Sequence, residues 1–167
     1  MKKIILLSFI ICLVSCKKET KNIKKQEPNY SINVDFPDTV YVNEYYNGKI
    51  NYKNIFDTVT TKLLDINKLR YIQYAFTITK DINHDNKHLK EIAIDTIYTK
   101  SSKYIPLTVI KFNQLGVNYI DGIISDQVEI DGIMLREGKM QPSTRIITHE
   151  FRATHKVVVI EKKDKKK

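Results

Sequence analysis

The sequence has no tryptophan, two cysteines, five glycines and four prolines in 167 residues. Both cysteines, Cys12 and Cys16, fall near the start. Beyond them a disulfide framework, a Cys-containing zinc site and a thiol nucleophile are all excluded. The glycines do not gather into a loop that could cradle phosphate, and no serine stands in a G-x-S-x-G arrangement. Long apolar runs are also missing: the uncharged stretch Ile4 to Val14 is shorter than the ~20 residues that a membrane-spanning helix needs. Nowhere does the chain sustain the 3.6-residue period of an amphipathic helix.

Charge is plentiful but unevenly placed. The formal net charge is +9, yet residues 30 to 155 hold fifteen basic and fifteen acidic side chains. The excess lies in the first 25 residues and from Lys156 onward. A neutral central region removes the main electrostatic support for nucleic-acid binding, so no nucleic-acid partner is expected. The basic ends read as solvated tails, the first suited to anionic lipid head groups.

Lys2 and Lys3, the apolar stretch Ile4 to Val14, and then Leu13-Val14-Ser15-Cys16 make a charged n-region, an h-region and a small residue before cysteine. This resembles the lipobox of bacterial lipoproteins. The resemblance implies a signal peptide over residues 1–15 and a lipidated Cys16 that ties the chain to a membrane, since each buried methylene contributes about 0.8 kcal/mol. Lys17 in the following position resembles lipoproteins sent on to the outer membrane. A lipobox before a Lys-rich segment and a Lys-, Ile-, Asn- and Tyr-rich remainder is similar to small lipoproteins of Bacteroidetes-type bacteria.

Residues 16–29 have little apolar content and end at Pro28-Asn29, the pattern of a flexible basic tether. From Ser31 onward short period-two runs dominate: Ile32, Val34, Phe36; Val40, Val42; Ile50, Tyr52. Asn47-Gly48 predicts a two-residue hairpin turn, and Phe36-Pro37-Asp38 a break. Residues 57–69 fit either a short helix or a bent strand, with Leu63, Ile66 and Leu69 at helical spacing. Arg70 to Thr79 predicts a central strand with Ile72, Tyr74, Phe76 and Ile78 on one face and Tyr71, Gln73, Ala75 and Thr77 on the other. After a polar loop over residues 80–90 come 91–98, 106–112, 117–124, 127–135, 145–151 and 156–160, separated by Gly and Pro punctuation. The string Ile-Asp-Gly-Ile at 120–123 and 130–133 predicts turns or glycine bulges on adjacent strands. The expectation is all-β: one antiparallel β-sandwich over residues 30–160, with a disordered basic tail at 161–167.

Short strands at this spacing, with Leu115 to Tyr119 placed like the start of a penultimate strand and its corner tyrosine, resemble an immunoglobulin-like or fibronectin-like sandwich. The chain lacks that fold's cysteine pair and tryptophan.

Asp81, Asn83 and Asp85 put oxygen-bearing side chains at positions one, three and five of a calcium loop, but position twelve is Ile92. The same residues suit an exposed turn, so calcium stands as the alternative to no cofactor. His84 and His88 are four apart; His149-Glu150 lacks the second histidine of a zinc-protease helix, because Ala153 occupies that position. Asp121 and Asp131 both precede glycine, where turn formation accounts for them. Tyr45 and Tyr46 could form an aromatic patch for a sugar or protein partner. With no catalytic constellation, the expected function is a non-enzymatic, lipid-anchored protein of the cell envelope that meets a protein or glycan partner.

Overall fold

The computed structural model describes residues 30–60, 62–64 and 68–162. The expected signal segment, Cys16, the expected tether and residues 163–167 lie outside the described residues. The rest forms β1 (Tyr30–Asp35), β2 (Thr39–Tyr41), β3 (Tyr45–Asn54), a 3-10 turn (Ile55–Thr58), β4 (Lys68–Thr79), helix α1 (Asn86–Glu91), β5 (Asp95–Tyr98), β6 (Tyr104–Lys111), β7 (Gly116–Arg136) and β8 (Lys139–Ile160).

Two sheets result. One has the order β1-β3-β6 and is antiparallel; the other runs β2-β8-β7-β4-β5. Within the second, β2 and β8 are parallel, which departs from the all-antiparallel expectation. The cause is local: β1 stops at Asp35, the chain breaks at Phe36-Pro37-Asp38, and β2 then joins the far edge of the other sheet. Alternation along each strand sends Ile50 and Tyr52 of β3, Ile105, Leu107 and Ile110 of β6, and Ile72, Tyr74, Phe76, Ile120, Ile124, Val157 and Val159 of the larger sheet into one shared apolar core. The Tyr74 hydroxyl donates to the Ala153 carbonyl at 2.9 Å, satisfying a polar tip inside that core.

Several segments differ from the sequence reading. Asn47-Gly48 is not a turn: it lies inside β3, where the register to β6 shifts between Tyr46 and Gly48. Asn47 Oδ1 accepts the Val109 amide at 2.8 Å, and a Cβ on Gly48 would stand 2.5 Å from the Asp35 carbonyl oxygen. Glycine is required there by close approach. Residues 55–58 make one 3-10 turn capped by Asn54, and Leu64 takes a left-handed backbone with φ 58°. Glu91 ends a helix instead of opening a strand.

The largest difference concerns the last third of the chain. The four expected strands at 117–124, 127–135, 145–151 and 156–160 fuse into two, β7 and β8, paired without interruption from Gly116↔Val159 to Arg136↔Lys139. The true turn is Glu137-Gly138, with φ 51° and 75° as a two-residue hairpin turn demands. Both Ile-Asp-Gly-Ile strings therefore lie on one strand. Gly122 faces Phe76, and a Cβ there would stand 2.7 Å from the Phe76 Cα, whereas a Cβ on Gly132 would meet only the Ser143 carbonyl oxygen at 3.9 Å. Tyr119 sits within β7 beside Thr79 and Lys156 in register, on the face turned away from the core.

The two glycines separate in a stability measurement. Gly122→Ala lowers unfolding free energy by about 1–3 kcal/mol through overpacking, while Gly132→Ala changes it by less than about 0.5 kcal/mol; denaturant midpoints read both, and equal costs would contradict this register.

Candidate functional site

Charged side chains buried in this fold are engaged with one another. Arg70, at the start of β4, is fully buried and faces Asp126 of β7, also fully buried. Arg70 Nε donates to Asp126 Oδ1 at 2.9 Å and Nη2 to Oδ2 at 2.6 Å, a two-pronged pair. Its Nη1 reaches Asp57 Oδ1 at 2.7 Å and the Thr60 carbonyl at 2.6 Å. From the opposite sheet the Tyr52 hydroxyl at 2.8 Å and Asn54 Nδ2 at 3.2 Å both donate to Asp126 Oδ2. Burial by itself would lower the Arg70 pKa, but hydrogen bonds to Asp126 and Asp57 outweigh it and the net shift is upward. Burial, followed by the Asp126 carboxylate, pushes the Tyr52 phenol far up, so it remains a donor. The cluster knits the two sheets and the 55–60 turn together.

A second cluster lies on the outer face of the larger sheet. Asp121, fully buried, accepts Arg152 Nε at 2.9 Å, Arg152 Nη2 at 2.5 Å and the Thr154 hydroxyl at 2.6 Å. Arg152 then donates to the carbonyls of His84 at 2.8 Å and Ile82 at 2.7 Å. The guanidinium thus clamps the 81–85 loop, and the Leu89 side chain on α1 plugs the face beside it.

The clamped loop holds the residues read as the calcium alternative. Asp81 Oδ1 accepts the Asn83 amide at 2.9 Å and Asn83 Nδ2 at 2.8 Å, closing a side-chain turn whose amide bond holds the Asp81 pKa below its usual value. Asp85 Oδ1 caps α1 through the His88 amide at 2.8 Å. Both carboxylates are turn and cap acceptors. His84 and His88 do come together, with ring centroids 5.0 Å apart, and His88 Nδ1 lies 3.7 Å from Glu91. Among the described residues, no group of three or more His, Cys, Asp or Glu is arranged to hold a metal ion.

The other candidates are dispersed. His149 stacks on Phe56 at 4.2 Å, with Nδ1 3.4 Å from Asn54 Oδ1, while Glu150 turns to the other face and pairs with Lys90 at 2.6 Å. His155, six residues along the same strand, has its Nε2 buried 3.3 Å from Asp38 but out of line for a hydrogen bond. Asp121 and Asp131 are ten residues apart on β7, roughly 33 Å, so they cannot act on one bond. Tyr45 is exposed with Lys111 Nζ 5.5 Å from its ring centre; Tyr46 turns inward, its hydroxyl accepting the Tyr41 amide at 2.8 Å. The alternation of a strand separates these two rings.

A different aromatic face forms where strand order brings it together. Tyr98 of β5, Gln73 of β4 and Ser125 of β7 lie side by side in register, with Tyr71 and Gln127 as the next row. These five residues line a cleft of ≈ 200 Å³ on the outer face. Tyr98 is 72% exposed and Tyr71 37%. Gln127 is oriented by Nε2 donating to Glu129 Oε1 at 3.1 Å. Two rings flanking amide and hydroxyl groups suit sugar hydroxyls or a polar protein surface. The alternation of β4 already set Tyr71 and Gln73 on one face; only sheet order adds Tyr98, Ser125 and Gln127.

Asp126→Asn removes the fully buried counter-charge of Arg70, leaving it only the partly exposed Asp57, and costs about 3–5 kcal/mol, whereas the double replacement Arg70→Met with Asp126→Leu is less destabilising than that single change. Denaturant unfolding of the two variants beside the parent measures this. Comparison of the chain with protein-family models, with curated proteins and with solved structures finds no match to any of them.

Proposed function

We propose that this chain is a lipid-anchored protein of the cell envelope, attached through Cys16, whose immunoglobulin-like sandwich binds a glycan or protein partner without catalysing a reaction. The single observation that carries the partner reading is the row of exposed Tyr98 with half-buried Gln73 and Ser125, beside exposed Tyr71 and half-buried Gln127. The strand order supports the immunoglobulin-like reading: β1-β3-β6 corresponds to strands A, B and E, and β8-β7-β4-β5 to G, F, C and C′. The mutual engagement of Arg70 with Asp126 and of Arg152 with Asp121 supports a structural use of the buried charges. The lipobox residues and the basic segment after Cys16 support attachment at a membrane, with the outer membrane favoured by Lys17.

Two measurements test the reading separately. Metabolic labelling with a fatty acid is expected to tag the wild-type chain and not Cys16→Ala; an unlabelled wild type overturns the anchor. A photo-crosslinking residue in place of Tyr98 is expected to form an envelope adduct in intact cells that Tyr71→Ala and Gln73→Ala together abolish. Crosslinking from position 45 and none from position 98 would reassign the contact to the other end of the fold.

A further inference from the structure

The β7–β8 ladder outruns the sheet that carries it. Among the described residues, pairing between β4 and β7 ends at Lys68↔Ile130, and from Asp131↔Thr144 to Arg136↔Lys139 the two strands are paired with each other alone. All the residues of this ribbon but Ser143 are exposed. An isolated two-stranded ribbon is marginally stable in water, so a projecting one calls for a surface to cover it.

Its two faces differ. Cross-strand partners share a face, which places Ile133 with Pro142, and Leu135 with Met140, on one side toward the tip, followed on that side by Asp131 with Thr144 at the base and then Ile146 with Glu129. Ile133, Leu135, Met140 and Ile146 are 70%, 66%, 67% and 59% exposed. The opposite side carries Gly132 with Ser143, Met134 with Gln141, and Arg136 with Lys139. The ribbon is amphipathic, and Arg136 and Lys139 flank its turn.

We propose that the apolar face of this ribbon is a second membrane contact, lying on an anionic lipid surface beside the Cys16 anchor; this rests on the anchored reading given above. Three observations select lipid over other occupants. First, the geometry of attachment brings the two together. Tyr30 packs against Phe151, which is opposite Ile124, and β1 then runs toward Phe36 beside His155, so β1 begins on the ribbon side of the domain. From Ile124 to the turn at Glu137 a straight strand covers about 43 Å. Residues 17–29 reach about 45 Å at full stretch and average nearer 20 Å as a coil. The anchor therefore holds the bilayer within the ribbon's reach.

Second, the face is small. Six residue pairs across two strands cover roughly 10 Å by 20 Å, far below the ~800 Å² per partner of a stable protein interface. A bilayer needs no such area, because a weak second contact adds to an existing lipid anchor. Third, the edges and charges fit. Pro142 blunts strand addition along β8, and at the ribbon's tip Arg136 and Lys139 outnumber Glu137, as an anionic head-group layer favours, while Asp131 stands at the base bonded to Thr144.

The absence of tryptophan makes the test direct. Full-length lipidated protein carrying Leu135→Trp is reconstituted in vesicles of phosphatidylethanolamine and phosphatidylglycerol, beside Tyr45→Trp as the far-end control. The expected result is a blue-shifted L135W emission, quenched by acyl-brominated lipid and protected from iodide, while Y45W stays open to iodide. Adding Arg136→Glu and Lys139→Glu is expected to abolish the shift. An L135W indole accessible to iodide, in protein that floats with the vesicles and carries the fatty-acid label, overturns this proposal alone. Protein that neither floats nor carries the label overturns the anchor and this contact with it. A blue shift that follows protein concentration and ignores brominated lipid assigns the face to a second copy and also overturns the proposal.

Discussion

The pairing of Arg70 with Asp126 is the constraint on which the architecture turns. Two opposite charges sit fully buried between the sheets, each held by several hydrogen bonds, and the groups that hold them come from β3, the 55–60 turn, β4 and β7. A buried pair of this kind contributes modestly to net stability, because desolvation offsets much of the attraction. Its effect is on uniqueness: a one-residue slip of β7 against β4 would turn Asp126 to the outer face and strand Arg70 in the core. The same register fixes Gly122 opposite Phe76 and starts the free ribbon at Asp131. One ion pair thus sets both how the layers close and where the hairpin leaves them.

The second pair, Arg152 with Asp121, works in the same way on the outside of the sheet. Its guanidinium binds the carbonyls of Ile82 and His84, so a loop rich in Asp, Asn and His is held by an internal cation. What remains open on that sheet is the polar and aromatic face around Tyr71 and Tyr98, and beyond it the amphipathic ribbon. One faces outward from the domain and the other extends toward the end where the chain begins β1. Under the proposed anchoring, the ribbon is the part of the domain assigned to the membrane and the tyrosine face the part left for a partner.

Much of the fold was legible where period-two alternation was strong. Arg70 to Thr79 reads directly as β4 with the correct inward and outward faces, and the break at Pro37 does separate two strands. Misreadings cluster where a residue has two physical uses. Gly122, Gly132 and the Ser125-Asp126 pair look like punctuation, yet they lie in mid-strand because Gly122 permits close approach and Asp126 has a buried partner 56 residues away. Asn47-Gly48 has the composition of a hairpin turn, but close packing against Asp35 and Phe36 is what demands that glycine. Asp81, Asn83 and Asp85, which suit an exposed turn as well as a calcium loop, form a turn and a helix cap whose amides bond the two carboxylates.

By itself the sequence determined the class of the fold, the neutrality of its central region, the absence of thiol chemistry after Cys16 and the expectation of a lipid anchor there. Those properties depend on composition, local alternation and short motifs, which neighbouring residues settle among themselves. Tertiary structure alone decided that Tyr98 stands beside Gln73 and Ser125, that Arg70 meets Asp126, and that Ile133, Leu135 and Met140 project together into solvent. Each of these depends on strand order and register between distant segments, and pairing free energy is set by what the facing strand offers, not by the residue alone.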